Sequence, residues 1–476
     1  MIRPLEKTGH GHVGLPRSCI VGAGCSGFAT AKALKDRGLP FDCFEMSSVI
    51  GGNWVYKNPN GLSACYQSLH IDTSKHRMQF EDFPIPADFP DYPHHSQVAE
   101  YFNAYVDRFG LREHITLNTK VKRAVRGDDS LWHVALSNGE TRTYDALFVC
   151  NGHHWDPYTP EFPGQFDGME MHAHSYLTPF EPHDMRDKRV LVVGMGNSAM
   201  DIASELSQKP IAKKLFVAAR RGVWIFPKYI NGQPPDKGVA PKWMPDWLMR
   251  RVVKKMIVDA VGHMEDYGLP RPAHHPADAH PSVSGEFLTR VGCGDITVVK
   301  NIKEKRGNKV LFEDGREEEI DVIVYATGYN LSFPFLDDTL VKVENNHLPL
   351  FKRVFKPGVD NLFFMGLAQP LPTLVNLAEQ QARWIAAYLG GDYVLPGVAE
   401  MEKAIKADEA REIGHYYTSR RHTMQVNFDR YCRDIKAEWK RGTARAQARG
   451  FGPSRLPVPG RARCQASVWP AEAAAG

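Results

Sequence analysis

The chain has 476 residues, of which 43% are hydrophobic and 24% charged, with a formal net charge of +4 at pH 7. This excludes wholesale disorder, because apolar surface is ample, and +4 is too little to argue for a nucleic-acid binder. At about 150 residues per domain the length predicts two or three domains. The charge is uneven: the last 38 residues carry +6, which leaves the preceding body at −2.

Residues 1–18 hold Pro, Glu, Lys and two His without the apolar core of a signal peptide. From Arg17 a short apolar strand breaks into glycine at Gly22, the alanine-rich run Phe28 to Leu34 is helix-prone, and Phe41 to Phe44 reads as a second strand closing on Glu45. Together they predict a β-α-β unit. Trp132 to Leu136 and Tyr144 to Cys150 read as further strands. The β-α-β grammar then recurs: strand from Arg189, helix from Ser198 to Leu206, and strand from Lys214 ending at Arg220-Arg221. Val322 to Ala326 and Asn361 to Met365 are two more strands, followed by Gly328 and Gly366.

Between residues 230 and 281 the alternation is interrupted by Pro234, Pro235, Pro241 and Pro245 and then a helical run, Asp246 to Met264. Met249, Val252, Val253, Met256, Ala260 and Met264 share one face of that run, and Arg250, Arg251, Lys254 and Lys255 another. The pattern fits an inserted helix packed on its own domain, or weak peripheral contact with an anionic membrane. From 441 onward Ala, Arg and Pro dominate, predicting a flexible basic tail in which Val468 and Trp469 are the residues able to dock. No stretch approaches the ~18 apolar residues of a membrane span. Eight cysteines without a C-x-x-C pair read as reduced thiols of a cytoplasmic protein.

Two glycine motifs carry the chemistry. Gly22-Ala23-Gly24-Cys25-Ser26-Gly27 is a G-x-G-x-x-G between strand and helix, with Glu45 placed 18 residues later to accept ribose hydroxyls. Gly194-Met195-Gly196-Asn197-Ser198-Ala199 is the second. Its strand ends on Arg220 and Arg221 rather than an acid, which favours a 2′-phosphate and hence NADPH; the plain alternative is a solvated strand end. The reading is an α/β chain of two Rossmann-like dinucleotide-binding domains in a glutathione-reductase-like arrangement, with FAD and NADPH as the economical cofactor pair. Without a redox-active cysteine pair, oxygen or another small acceptor takes the electrons. Paired histidines lack metal-ligand spacing, so no metal is expected, and there is no G-x-S-x-G for a serine hydrolase.

Phe166, Gly168, His172 and Tyr176 form F-x-G-x-x-x-H-x-x-x-Y, 18 residues before Gly194. This resembles the fingerprint of class B flavin-containing monooxygenases; related Baeyer–Villiger enzymes typically carry tryptophan where Tyr176 stands. Gly51-Gly52-Asn53-Trp54, Asp82 to Pro86, Asn151-Gly152-His153 and Ala326-Thr327-Gly328-Tyr329 match the same family in order, across Ser18 to Glu438. The resemblance implies that NADPH reduces FAD, that a C4a-hydroperoxide forms with O2, and that its distal oxygen passes to a soft nitrogen or sulfur nucleophile. It also implies that Gly52, Asn53, Trp54, Thr327, Gly328 and Gly366 line the cofactors, and that His172 and Tyr176 set the domain connection. Baeyer–Villiger oxidation of ketones, or an uncoupled NADPH oxidase or redox flavoprotein, are the alternatives.

One position departs from the family. Asp72 stands where the family usually shows an asparagine thought to steady the oxygenated flavin. An ionised carboxylate cannot donate in place of that amide, so a leakier or differently selective enzyme is expected; otherwise Asp72 caps a local turn. The expected division is an FAD domain over 1–178 and 325–440, an NADPH domain over 179–324 with its insert, and a tail from 441. A homodimer and a small-molecule substrate complete the expectation, with the insert controlling access.

Overall fold

A computed structural model describes residues 7–8, 11–12, 15–237, 244–278, 282–371, 373–415 and 422–450. Val468 and Trp469 of the tail lie outside them.

The first unit opens with β1 (Ser18–Val21), α1 (Cys25–Asp36) and β2 (Phe41–Phe44). Then come α2 (His95–Arg108), β3 (Ile115–Thr116) and β4 (Ala146–Val149). The second unit comprises β5 (Met169–His172), β6 (Arg189–Val193), α3 (Asn197–Leu206), β7 (Lys214–Ala218), α4 (Asp246–Val261), β8 (Thr297–Val299) and β9 (Val322–Tyr325). The chain closes with β10 (Phe355–Lys356), β11 (Val359–Phe364), α5 (Val375–Leu389) and α6 (Phe428–Ala448).

Two sheets result. The first runs β10-β11-β4-β1-β2-β3, parallel except at the β10 edge, with Val21 opposite Phe44 on one side and Val149 on the other. The second runs β5-β9-β6-β7-β8, wholly parallel. All four residues of β1 are buried, as a central parallel strand covered on both faces requires. Because β10 and β11 rejoin the first sheet after β9, the second sheet interrupts the chain of the first. β5 already pairs in the second sheet, ahead of residue 178.

The cores follow from this layering. Phe28 of α1 meets Phe80, Phe102 and Tyr105 at ring separations of 5.9, 5.1 and 5.5 Å. Burying such a ring contributes roughly 1.5–3 kcal/mol. On the other flank of this core, α5 is buried over most of its surface.

Two expectations change. The inward stripe of α4 is rotated from the one expected: Ile257 is fully buried, with Met256, Val258 and Val261 beside it, whereas Val252 is 47% exposed and Ala260 faces out. The helix ends at Val261 because Gly262 turns to φ +74°, so Met264 belongs to a separate short turn. Its main apolar stripe therefore lies against its own unit. The second change is at 441–448, which are not tail but the last two turns of α6. There the Arg441 and Arg445 guanidinia bond the buried Glu438 carboxylate, and Arg445 Nε donates to the Val394 carbonyl at 2.9 Å. A buried acid with two cationic partners ties down what its composition suggested would be loose.

Candidate functional site

Both glycine motifs fold into the strand–turn–helix they predict. The N-caps of α1 and α3 are Gly24 and Gly196, neither with a side-chain cap, and neither helix has an acid in its first turn. Their first N–H groups and positive dipole ends are thus left to an anion such as a pyrophosphate. In the first loop a Cβ on Gly27 would stand 1.9 Å from the Gly22 carbonyl oxygen, so only glycine admits the close approach of helix to turn. In the second, Gly194 has φ +128° and its added Cβ would meet the Ala326 oxygen at 2.4 Å. Backbone, not side chain, lines both cradles.

Around the first cradle the expected residues converge. Gly52, at the start of the short Gly52–Trp54 turn, faces Gly24: a Cβ on it would lie 3.2 Å from the Gly24 Cα. Asn53 Oδ1 accepts from Ala64 N at 2.8 Å, and Trp54 packs on the first core. Gly366 sits against Ser26, whose Oγ a Cβ there would meet at 2.2 Å. Glu45 lies at the end of β2, its two carboxylate oxygens accepting from Ala23 N and Ser47 N, both at 2.8 Å. Burial raises its pKa while those N–H groups pull the other way. The Met46 N–H and the Asn60 side chain bond the same carboxylate, so Glu45 shapes the loop.

Around the second cradle, Asn197 Oδ1 accepts from Val283 N at 3.0 Å and Ser282 Oγ donates to the Met195 carbonyl at 2.6 Å. Ser282–Val283 also pairs with Ile225–Phe226, so both ends of the insert are stitched together beside the loop that Ser198 follows. Arg220 and Arg221 stand exposed just beyond β7. Thr327 Oγ1 donates to the Tyr158 carbonyl at 2.5 Å, and Gly328 is exposed with φ +89°.

The fingerprint segment opens the second unit. Gly168 is wedged between the Phe166 ring and the Asp321 carbonyl, either of which a Cβ would strike at about 2.6 Å or closer. His172 ends β5, and its Nδ1 accepts from His174 N at 3.0 Å; burial lowers its pKa to about 4 and leaves it neutral. Tyr176 is fully buried and donates to Glu205 Oε2 on α3 at 2.7 Å; burial pushes its pKa far up. Asp72 lies in the loop before the short Lys75–Met78 helix, whose N-cap is Ser74; its Oδ1 is 3.8 Å from Lys228 Nζ.

Several site residues had escaped the sequence reading. Asn58 accepts from Ser47 Oγ at 2.6 Å and donates to the Gly52 carbonyl at 3.1 Å, and the Asn58-Pro-Asn-Gly61 turn was its available signal. Gln381 Oε1 accepts from Gly366 N at 3.0 Å; nothing local marks it. Tyr66 donates to Asp201 Oδ2 at 2.5 Å across the two units.

A chain with two parallel dinucleotide-type sheets, two bare-ended helices and opposite charges at the two strand ends is a two-nucleotide oxidoreductase. Residues 16–441 match the flavin-binding monooxygenase-like family, and the chain belongs to it. It is 36% identical to flavin-containing monooxygenase 5 of Rattus norvegicus over 436 residues, 87% of this chain and 80% of that one. It is 37% identical to an N-oxide-forming dimethylaniline monooxygenase 2 of Macaca mulatta over 442 residues, 88% of this chain and 82% of that one. Among solved structures it resembles S-allyl-L-cysteine S-oxygenase from Allium sativum, with a TM-score of 0.66 and 26% identity over 89% of this chain and 88% of that one. The NADP+-bound cyclohexanone monooxygenase of Rhodococcus sp. Phi1 shares the fold, with a TM-score of 0.67 and 18% identity over 92% and 99% of the two chains. The protein is thus a monooxygenase of the flavin-containing family. No described helix is long and apolar enough to cross a membrane.

Proposed function

We infer that the protein is an FAD-containing, NADPH- and O2-dependent monooxygenase that transfers one oxygen atom to a soft nitrogen or sulfur nucleophile. The observation that carries the reading is the pairing of two bare-ended cradles with opposite strand-end charges, Glu45 at one and Arg220 and Arg221 at the other. FAD fits the first cradle, with Gly22, Gly24, Ser26, Gly27, Glu45, the Gly52–Trp54 turn and Gly366 around it. NADPH fits the second, with Gly194, Gly196, Asn197 and Ser198 at its pyrophosphate and the two arginines at its 2′-phosphate. Thr327 and Gly328 lie where the units meet. The FAD domain is then discontinuous, and the sheet pairing favours a boundary before Gly164 rather than at 178.

Bound flavin and nicotinamide supply the hydride and oxygen chemistry. The chain's own groups do the rest. Helix N-termini hold the phosphates, Glu45 orients a ribose, neutral His172 and the Tyr176–Glu205 bond brace β5 and α3 within the second unit, and the Tyr66–Asp201 bond sets one unit against the other. Nitrogen and sulfur are favoured because relatives are named for N-oxide formation and S-oxygenation. The cyclohexanone enzyme is similar in fold alone, and Tyr176 replaces the tryptophan expected of ketone oxidation. Four buried thiols, Cys19, Cys43, Cys65 and Cys150, fit a reducing cytoplasmic setting. Incubation with NADPH, air and a panel of tertiary amines, thioethers and cyclic ketones tests the reading. An N-oxide or S-oxide by mass supports it, and an ester as the main product overturns it.

Asp72 keeps a second reading in view, that part of the NADPH is spent on peroxide. Peroxide released per NADPH should fall in Asp72→Asn; unchanged release assigns Asp72 no part in coupling.

A further inference from the structure

Residues 227–236 leave the second unit as a hairpin, turning at Asn231 (φ +52°) and Gly232 (φ +74°) with Ile230 and Gln233 bridged. The strap lies on the first unit. Tyr92 OH donates to the Lys228 carbonyl at 2.5 Å, and Tyr229 OH donates to Asp91 at 3.3 Å. Ser74 N donates to Asp236 Oδ2 at 2.7 Å. The Lys228 ammonium stands 5.2 Å over the Tyr92 ring, 3.4 Å from the Ile71 carbonyl oxygen and 3.8 Å from Asp72 Oδ1. Lys228 and Asp72 are each only 22% exposed at the side chain. Close by, Tyr66 of the first unit reaches α3 directly, donating to Asp201 Oδ2 at 2.5 Å. The ammonium of the strap is therefore seated on a carbonyl, a ring and a carboxylate of the first unit.

We propose that Lys228 is a positioning residue that clasps the two units through Asp72, and that the affinity for NADP(H) depends on this clasp. The proposal rests on the assignment of NADPH to the second cradle. Lys228 holds the strap of the second unit on the Asp72 loop, and with it the spacing between the second cradle and the first unit. A nucleotide seated on α3 then meets the first unit already in place, and pays no ordering cost for docking the two. The partly buried pair is worth more than a fully exposed one, though still modest and sensitive to salt.

The test uses the FAD-loaded full chain and equilibrium titration with NADP+, read from the visible spectrum of the oxidised flavin. Lys228→Met should weaken NADP+ about fivefold at low ionic strength and less in concentrated KCl. Asp72→Asn should weaken it to a similar degree, and the double variant should be no worse than either single one, because both remove the same interaction. Lys228→Arg should restore binding to within about twofold, since it keeps the charge. Lys228→Met should also raise KM for NADPH with the rate of flavin reduction at saturation unchanged. Additive losses, or a loss in Lys228→Met with none in Asp72→Asn, would overturn the clasp and make Lys228 a direct nucleotide contact. Failure of the unaltered enzyme to bind NADP+ would instead overturn the cofactor assignment.

Discussion

Gly194→Ala is the sharpest perturbation of the second cradle. At φ +128° an alanine is strained by about 1–3 kcal/mol. Its Cβ also falls 2.4 Å from the Ala326 oxygen, a backbone atom at the end of β9 that cannot swing aside, which adds a similar amount. If the loop yields instead of the sheet, it moves off the N-terminus of α3, and the cost appears as lost nucleotide affinity. A loss of about 2 kcal/mol is roughly thirtyfold in the NADP+ dissociation constant. The assay is the same flavin-spectrum titration, together with the FAD content of the purified protein. Gly194 lies in the second unit, so FAD occupancy should stay full while NADP+ binding falls. Loss of FAD with NADP+ affinity retained would refute the assignment of the two cradles.

Three further outcomes follow from the same geometry. Gly27→Ala, whose Cβ would lie 1.9 Å from the Gly22 oxygen, should give the converse phenotype, protein purified with little FAD; full occupancy would contradict it. Stability should fall from pH 7 to pH 5, because burial lowers His172 and His95 to about 4. Between about 4 and 6.5 the unfolded chain binds the protons the folded one refuses, and each histidine then costs about 1–2 kcal/mol. Urea unfolding at the two pH values should show a smaller difference in His172→Asn than in the unaltered protein. Truncation after Gly450 should leave turnover intact. Truncation after Lys440, which removes the α6 turns packed on Tyr393 and the Arg445 partner of Glu438, should lower the melting temperature by several degrees; equal stability of the two truncations would deny those turns a structural role.

The two cradles were legible because their signals are local: a strand, a glycine turn and a helix within about 30 residues. α5 was not, because it is buried on nearly all sides, so its apolar residues make no stripe to read. With it went Gln381 and its bond to Gly366. α4 was placed, but its inward face was misread. The periodicity gave the right pitch, and only packing decides whether Val252 or Ile257 turns inward. The C-terminal turns looked loose because arginine and alanine suggest a tail, while the buried Glu438 that captures Arg441 and Arg445 is a tertiary fact. Likewise Asp72 was conspicuous as a single residue, but its pairing with Lys228, 156 positions away, exists only once the units are assembled.

The most direct test of oxygen transfer is turnover of a tertiary amine or a thioether under 18O2 by the FAD-loaded enzyme with NADPH. The account predicts an N-oxide or S-oxide bearing one 18O atom, formed in step with NADPH consumption. Label drawn from water, or NADPH consumed to peroxide alone with no oxygenated product, would contradict it.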